Sequence, residues 1–264
     1  MRTDKLFETL RLPPQTDPPR SPRETLPTMY DLPSEDPEEP GLPDEFHYYQ
    51  PQLLRETFQP PQYAPEHFFV GTDLNLYYYV RRPMWHKRPD WFAVLGVSRL
   101  YDEHDLCMSY VIWQEGTAPY LIVELLSPGT EQDDLGRTQR GSDEPPTKWE
   151  VYEQILRVPY YVVFSRYTDV VHYFALNGGG YRPVQPDDQR LWLPEAGLGL
   201  WAGAYQGIEH QWLRFYDAHG VWIPTLVERE RQRTEQERLR AEQERQRAER
   251  LAAQLKARGI EPEI

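Results

Sequence analysis

The sequence predicts a fold of the α/β (α+β) class: a mixed sheet core with a flanking helix, carrying a Pro-rich arm before it and a charged helix after it. Three observations predict this. Short apolar runs of strand length, broken by turn residues and one helical pattern, fill residues 74–207. Fourteen of the 26 prolines lie in residues 1–65. Residues 226–258 repeat charged residues every seven positions, with Thr234, Ala241 and Ala248 recurring in phase. The expected organisation is an acidic, largely disordered arm over 1–45, a domain over 46–225, a heptad-like helix over 226–258 and a short tail over 259–264.

The arm comes first. Residues 1–66 carry 13 acidic and 6 basic side chains and little periodicity. Such a segment buries too little apolar surface to offset its ordering entropy. The stretch FHYYQPQLLRETF (46–58) reads as a short helix or a docked arm. Strands are then expected over 74–82 (LNLYYYVRR), 90–99 (DWFAVLGVSR), 106–116 (LCMSYVIWQEG) and 119–127 (PYLIVELLS). A polar, Gly- and Pro-containing loop follows. TKWEVYEQILR (147–157) reads as a helix, with Thr147 as N-cap and Glu150 completing a capping box. Val151, Tyr152 and Ile155 form its expected buried face. PYYVVFSR (159–166) is a fifth strand, DVVHYFALNGGGYRPV (169–184) a hairpin, and 191–207 an irregular closing β element. In the tail the candidate seam is small or charged. A solvated single helix laced with Glu–Arg pairs and a weak dimerising coil both fit it.

Composition excludes several classes. The single cysteine, Cys107, rules out an intramolecular disulfide framework and a cysteine zinc cluster. No apolar run has membrane-spanning length, and the opening MRTDKLFETLRLPP does not resemble a signal peptide. A soluble, cytoplasmic protein is expected. The formal net charge of −13 argues against strong non-specific nucleic-acid binding, though not against a local basic cleft. The seven histidines are scattered, without the i,i+4 spacing of a helical zinc site. No Gly-x-Ser-x-Gly elbow is present, and Ser127 and Pro128 read as the end of a strand and the start of a loop.

One residue breaks the pattern. Glu124 sits within the apolar run PYLIVELLS, where an unpartnered carboxylate is costly or shifts its pKa upward. Upstream, KRPDWFAVLGV places Asp90 at the start of a strand. An acid at the end of one strand and an acid within the next core strand can converge on one sheet edge. Two such carboxylates form a hard oxygen site suited to Mg²⁺ or Mn²⁺. A metal there would polarise a phosphoryl oxygen and acidify a bound water, with a nearby lysine offsetting charge.

RPDWFAVLGV, APYLIVELLSPGT and KWEVYEQILRVPYYVVFS, in that order, resemble the putative restriction endonuclease family of the PD-(D/E)XK nuclease superfamily. The resemblance covers roughly residues 70–205. It implies a restriction-endonuclease-like core and a Mg²⁺- or Mn²⁺-dependent endonuclease acting on DNA. It also implies roles: Asp90 as the Asp of the Pro-Asp motif, Glu124 as the second acid, and both as metal ligands. The usual lysine position is occupied by Leu126. The family's lysine on the following helix is matched by Lys148, the third catalytic candidate. Tyr120 stands where relatives often carry Asp. Glu45 is the nearest match to a first-helix Glu, and the match is poor.

Each candidate has a plainer reading. Asp90 reads as a turn residue after Pro89, Glu124 as a strand acid paired with arginine, and Lys148 as a surface cation. Asp73 reads as a turn acid before it reads as a ligand. His86, Lys87 and Arg88 form a basic patch, with Arg137 and Arg140 as further phosphate contacts. Tyr77, Tyr78, Tyr79, Trp85 and Trp91 are candidates for base stacking or for core. A binding or scaffold protein on a nuclease-like fold, without cleavage, is the alternative function. A mobile-element nuclease domain in a new role is a third. The expected partner is DNA; a homodimer through the tail is the other.

Overall fold

Residues 16–28, 31, 45–126, 131–138, 140–141, 144–186 and 188–258 are described by the structure, a computed structural model. The chain divides into two compact units, Met1–Ile223 and Pro224–Ile264. In the first, helices α1 (Pro22–Thr25) and α2 (Glu45–Thr57) precede β1 (Phe68–Thr72), β2 (Leu76–Tyr77), β3 (Trp91–Leu95) and β4 (Tyr110–Val111). Then come α3 (Ile112–Glu115), β5 (Leu121–Leu125), α4 (Glu131–Asp134) and α5, which is α-helical over Lys148–Glu150 and π-helical over Val151–Ile155. The unit closes with β6 (Tyr160–Ser165), β7 (Val170–Asn177), β8 (Gly180–Val184), β9 (Arg190–Leu193), β10 (Ala196–Tyr205) and β11 (Ile208–Tyr216).

Six strands form one mixed sheet in the order β1-β3-β5-β6-β7-β8. β5 and β6 are its central, parallel pair; the other neighbours are antiparallel. β5 is buried at every residue, as its near-continuous apolar run requires. Its side chains alternate between two cores. Leu121, Val123 and Leu125 pack with α2 and the three-stranded sheet β11-β10-β9. Ile122 and Leu126 pack with Val151, Tyr152 and Leu156 of the α5 segment. Glu124 faces the α5 side.

Helix α2 buries Phe46, His47, Gln50, Leu53, Leu54 and Thr57, a helical stripe. Gln50 lies against the free edge of β11. Its Nε2 donates to Leu213 O, and Leu213 N donates to its Oε1, both at 2.8 Å. The amide thus stands in for a missing neighbouring strand and blunts the edge. Gln50→Leu is expected to cost about 1–3 kcal/mol, because two buried backbone groups lose their partners; urea unfolding checks it.

The sheet order and the mixed α+β architecture agree with the sequence. The details differ in four places. The expected strand at 74–82 contracts to Leu76–Tyr77. The expected strand at 106–116 is a two-residue strand running into α3, which Gly116 ends in the left-handed conformation (φ 75°). The closing element at 191–207 is two regular antiparallel strands, and β1 and β11 add strands that periodicity had not marked.

The fourth difference is in α5. The Thr147–Glu150 capping box forms as expected. The π turn then bonds Leu156 N to Val151 O, one residue further than an α-helix would. The buried stripe therefore runs Val151, Tyr152, Leu156, and Ile155 is left 47% exposed.

Of the Pro-rich arm, residues 22–28 lie against α3. Trp113 Nε1 donates to Pro27 O (2.8 Å), and Gln114 Nε2 reaches the carbonyls of Pro22, Leu26 and Pro27. The expectation for 1–15, 29–30, 32–44 and 259–264 falls outside the described residues, as do Ser127 and Pro128.

The second unit is the helix α6 (Leu226–Ala257), capped by Thr225 and Glu228. None of its residues is buried. Arg233–Glu237, Arg238–Glu235 and Arg245–Glu242 pairs line its surface. No helix among the described residues is long and apolar enough to cross a membrane.

Candidate active site

Chain direction brings the three candidate residues together. Glu124 is the penultimate residue of β5. β3 runs antiparallel to β5 with Trp91 opposite Val123, so Asp90, one residue before β3, comes level with Glu124. β6 runs parallel to β5, so the connection between them must travel back along the sheet. Helix α5 makes that return, and its first turn, beginning with Lys148, lies at the carboxyl end of β5.

Lys148 Nζ donates to Glu124 Oε2 at 3.1 Å and to Asp134 Oδ1 at 3.0 Å. The Glu124 and Asp134 side chains are 0% and 1% exposed, and that of Lys148 is 21% exposed. Tyr152 OH donates to Glu124 Oε1 (2.8 Å). Asp90 N donates to Glu124 Oε2 (3.4 Å), and Leu125 N donates to Asp90 Oδ2 (2.6 Å). His47 Nε2 donates to Leu125 O (3.0 Å) from the other face of the sheet. Tyr161 OH holds the Asp134 backbone carbonyl (2.8 Å). Gly136 (φ +68°) turns the chain after α4 against the indole of Trp149, where an added Cβ would lie 2.5 Å from the ring. This close approach ties α4, and with it Asp134, to α5. Leu126, at the usual lysine position, is buried with Ile122 and Val163, a place with no room for a cation.

Burial pushes the Glu124 carboxyl well above its ordinary range and raises that of Asp90 as well; the Lys148 ammonium opposes this without cancelling it. Burial works to lower Lys148, but Glu124, Asp134 and Asp90 outweigh it and hold the ammonium well above its usual value. Burial and the Glu124 charge likewise push the Tyr152 phenol well up, so it stays a donor. Three carboxyls share one ammonium, and the cluster keeps a proton that free carboxyls would release. The folded chain then binds more protons than the unfolded one above the ordinary Glu value of 4.5, so this cluster costs stability as pH rises. Glu124→Gln removes that cost. Its stability relative to the parent, from urea unfolding in EDTA, is expected to increase from about pH 5 to about pH 8.

Other candidates are engaged elsewhere. Asp73, in a left-handed turn (φ 49°), pairs with Arg88 through two bonds of 2.7 and 2.8 Å. Arg137 pairs with Glu131 and Arg140 with Glu150. Glu45 hydrogen-bonds Tyr49. Tyr77, Tyr78 and Trp91 are core; Tyr79 is 42% exposed, and Trp85 lies under the Arg82 guanidinium at 4.4 Å. Tyr120 packs on Tyr160 with ring centroids 5.3 Å apart.

Sequence reasoning missed Asp134, His47 and the hydroxyl of Tyr152. Asp134 lies in the polar stretch EQDDLG, with no periodicity to mark burial. His47 had one weak signal, a polar residue on the apolar stripe of α2. Among the described residues no three His, Cys, Asp or Glu side chains are grouped to hold a metal ion. The protein side of the cluster is two carboxylates, Asp90 and Glu124.

A family model described as "Uma2: Putative restriction endonuclease" matches residues 24–206. No curated protein matches. Among solved structures, a chain described as a putative nuclease belonging to DUF820 from Anabaena variabilis aligns with a TM-score of 0.37 and 13% identity, covering 69% of this chain and 85% of that one.

Proposed function

The chain belongs to the Uma2 putative restriction endonuclease family, and on that premise we propose that it is a divalent-metal-dependent endonuclease hydrolysing phosphodiester bonds of DNA. The observation that carries this reading is the meeting of Asp90, Glu124 and Lys148 from three separate elements at the carboxyl end of β5. The donor set fits Mg²⁺ or Mn²⁺. Mg²⁺ is commonly held by one or two carboxylates, with water and substrate phosphate completing the octahedron. The raised Asp90 and Glu124 carboxyls mark negative charge that a single ammonium leaves unbalanced.

Asp90 and Glu124 would be the metal ligands. A bound ion supplies polarisation of a phosphoryl oxygen and a more acidic water. Tyr152 holds Glu124 by one oxygen and leaves Oε2 directed at Lys148 and Asp90. Lys148 offsets charge building on the phosphoryl oxygens or orients the attacking water, while Asp134 holds the ammonium in place. His47 fixes the Leu125 carbonyl next to Glu124. In the reaction the water oxygen forms a bond to phosphorus as the bond to the leaving oxygen breaks in line.

The test is incubation of the full chain with plasmid and linear DNA in Mg²⁺, Mn²⁺ or EDTA. Metal-dependent cleavage lost in Glu124→Ala supports the reading. A binding protein on the same fold is the second reading, favoured by the ammonium already seated on Glu124 and by the unburied helix α6. Metal separates the two. For the enzyme, ion at 100 times its Kd is expected to add about 2.7 kcal/mol of stability, and Asp90→Ala abolishes the gain. Absence of both cleavage and thermal shift sinks the enzyme reading.

A further inference from the structure

We propose that a pocket beside the acidic cluster accepts one unpaired base of the strand being cut, an inference that rests on the nuclease reading above. The pocket is about 220 Å³ and lies between α2, the end of β6 and β11. Its floor is apolar: Phe46 stacks on Trp212 with ring centroids 5.3 Å apart and planes at 16°. The His210 ring stands edge-on to both, at 5.5 and 5.6 Å. Tyr49, Ile208 and Arg166 complete the wall. Glu45 is the acidic group at the rim and is taken up by Tyr49.

The pocket is continuous with the proposed site. Phe46 and His47 are adjacent in α2, and His47 bonds Leu125 O, whose own N–H is held by Asp90. Leu125 pairs across the sheet with Phe164, whose ring lies 5.8 Å from that of Phe46. Arg166 follows β6 by one residue, with its guanidinium 5.8 Å over the Phe46 ring. Leu125 thus separates the acids from the pocket.

Its chemistry selects the occupant. An apolar, ring-lined floor disfavours phosphate and sugar but suits a planar base, which stacks without regard to sequence. The volume falls below that of drug-sized sites, which suits one ring system rather than a base pair. Arg166 at the wall complements the attached phosphates. A duplex must unstack to deliver a base here, so single-stranded or flipped nucleotides are the preferred substrate.

The experiment uses the full chain in EDTA, so that binding is read without cleavage. Anisotropy of a labelled oligothymidine is compared with an abasic strand of equal length and with a duplex. The intact single strand is expected to bind about tenfold tighter than the abasic one. Ile208→Trp, which fills the pocket, and Tyr49→Leu are expected to erase that difference while leaving abasic binding and the melting temperature unchanged. Arg166→Ala is expected to weaken all strands alike. Equal binding of intact and abasic strands, or a difference that survives in both pocket variants, overturns the base pocket while leaving the nuclease reading intact. Failure to bind any strand, together with no cleavage in metal, overturns both.

Discussion

Lys148→Met is expected to lower the unfolding free energy by about 3 kcal/mol at neutral pH, the scale for removing one partner of a buried ion pair. Glu124 and Asp134 are each essentially inaccessible, and both bond the same ammonium. Methionine fills the space but leaves two buried carboxyls without a cation. They must then take up protons, so the loss should shrink on acidification. Adding Glu124→Gln should restore part of the stability. A double-substitution cycle, with chemical unfolding of all four proteins, isolates the coupling between the two residues. Additive losses would show that the ammonium serves Asp134 alone. If Lys148 also acts on the phosphate, Lys148→Met should reduce cleavage by about 10²–10³ even where the protein is fully folded. Arginine should rescue stability better than activity, since its planar fork cannot reproduce a point charge at this depth.

Asp90→Asn is the second expectation, with the opposite balance of effects. The asparagine Oδ1 can still accept the Leu125 N–H that Asp90 holds at 2.6 Å, so the fold should persist. Removing a charge that burial already disfavours should leave stability unchanged or slightly higher at pH 8. Cleavage should fall by about 10³, because losing several kcal/mol of metal-borne stabilisation corresponds to about a decade per 1.4 kcal/mol. The stabilisation by Mn²⁺ should disappear with it. Single-turnover cleavage and thermal melts with and without metal check both halves. Full activity in Asp90→Asn would remove Asp90 from the proposed ligand set.

Much of this architecture was legible from local pattern. The run LIVEL demands a strand covered on both faces, and the lone Glu124 within it demands a partner. The Thr147–Glu150 capping box announces the start of α5, and the glycines of NGGG announce the β7–β8 turn. These are properties of short segments, governed by alternation, capping and turn chemistry, and they survive translation into three dimensions. The longer extended stretches did not. LNLYYYVRR reads as a strand by composition, yet only Leu76–Tyr77 pairs with a neighbour, and pairing is not a local property.

By itself the sequence determined that an ionisable residue would be buried in a central strand, that an acid would begin a nearby strand, and that a capped helix with a lysine in its first turn would follow. The tertiary structure alone decided what surrounds that acid. Antiparallel pairing of β3 sets Asp90 level with Glu124, and the parallel return to β6 sets Lys148 at the same strand end. The π turn rotates Leu156 inward in place of Ile155. Asp134 and His47 reach the cluster from a polar loop and from the opposite face of the sheet. Their contacts join residues far apart in the chain, so their energy depends on the direction of crossovers and the burial they create, which no local periodicity encodes.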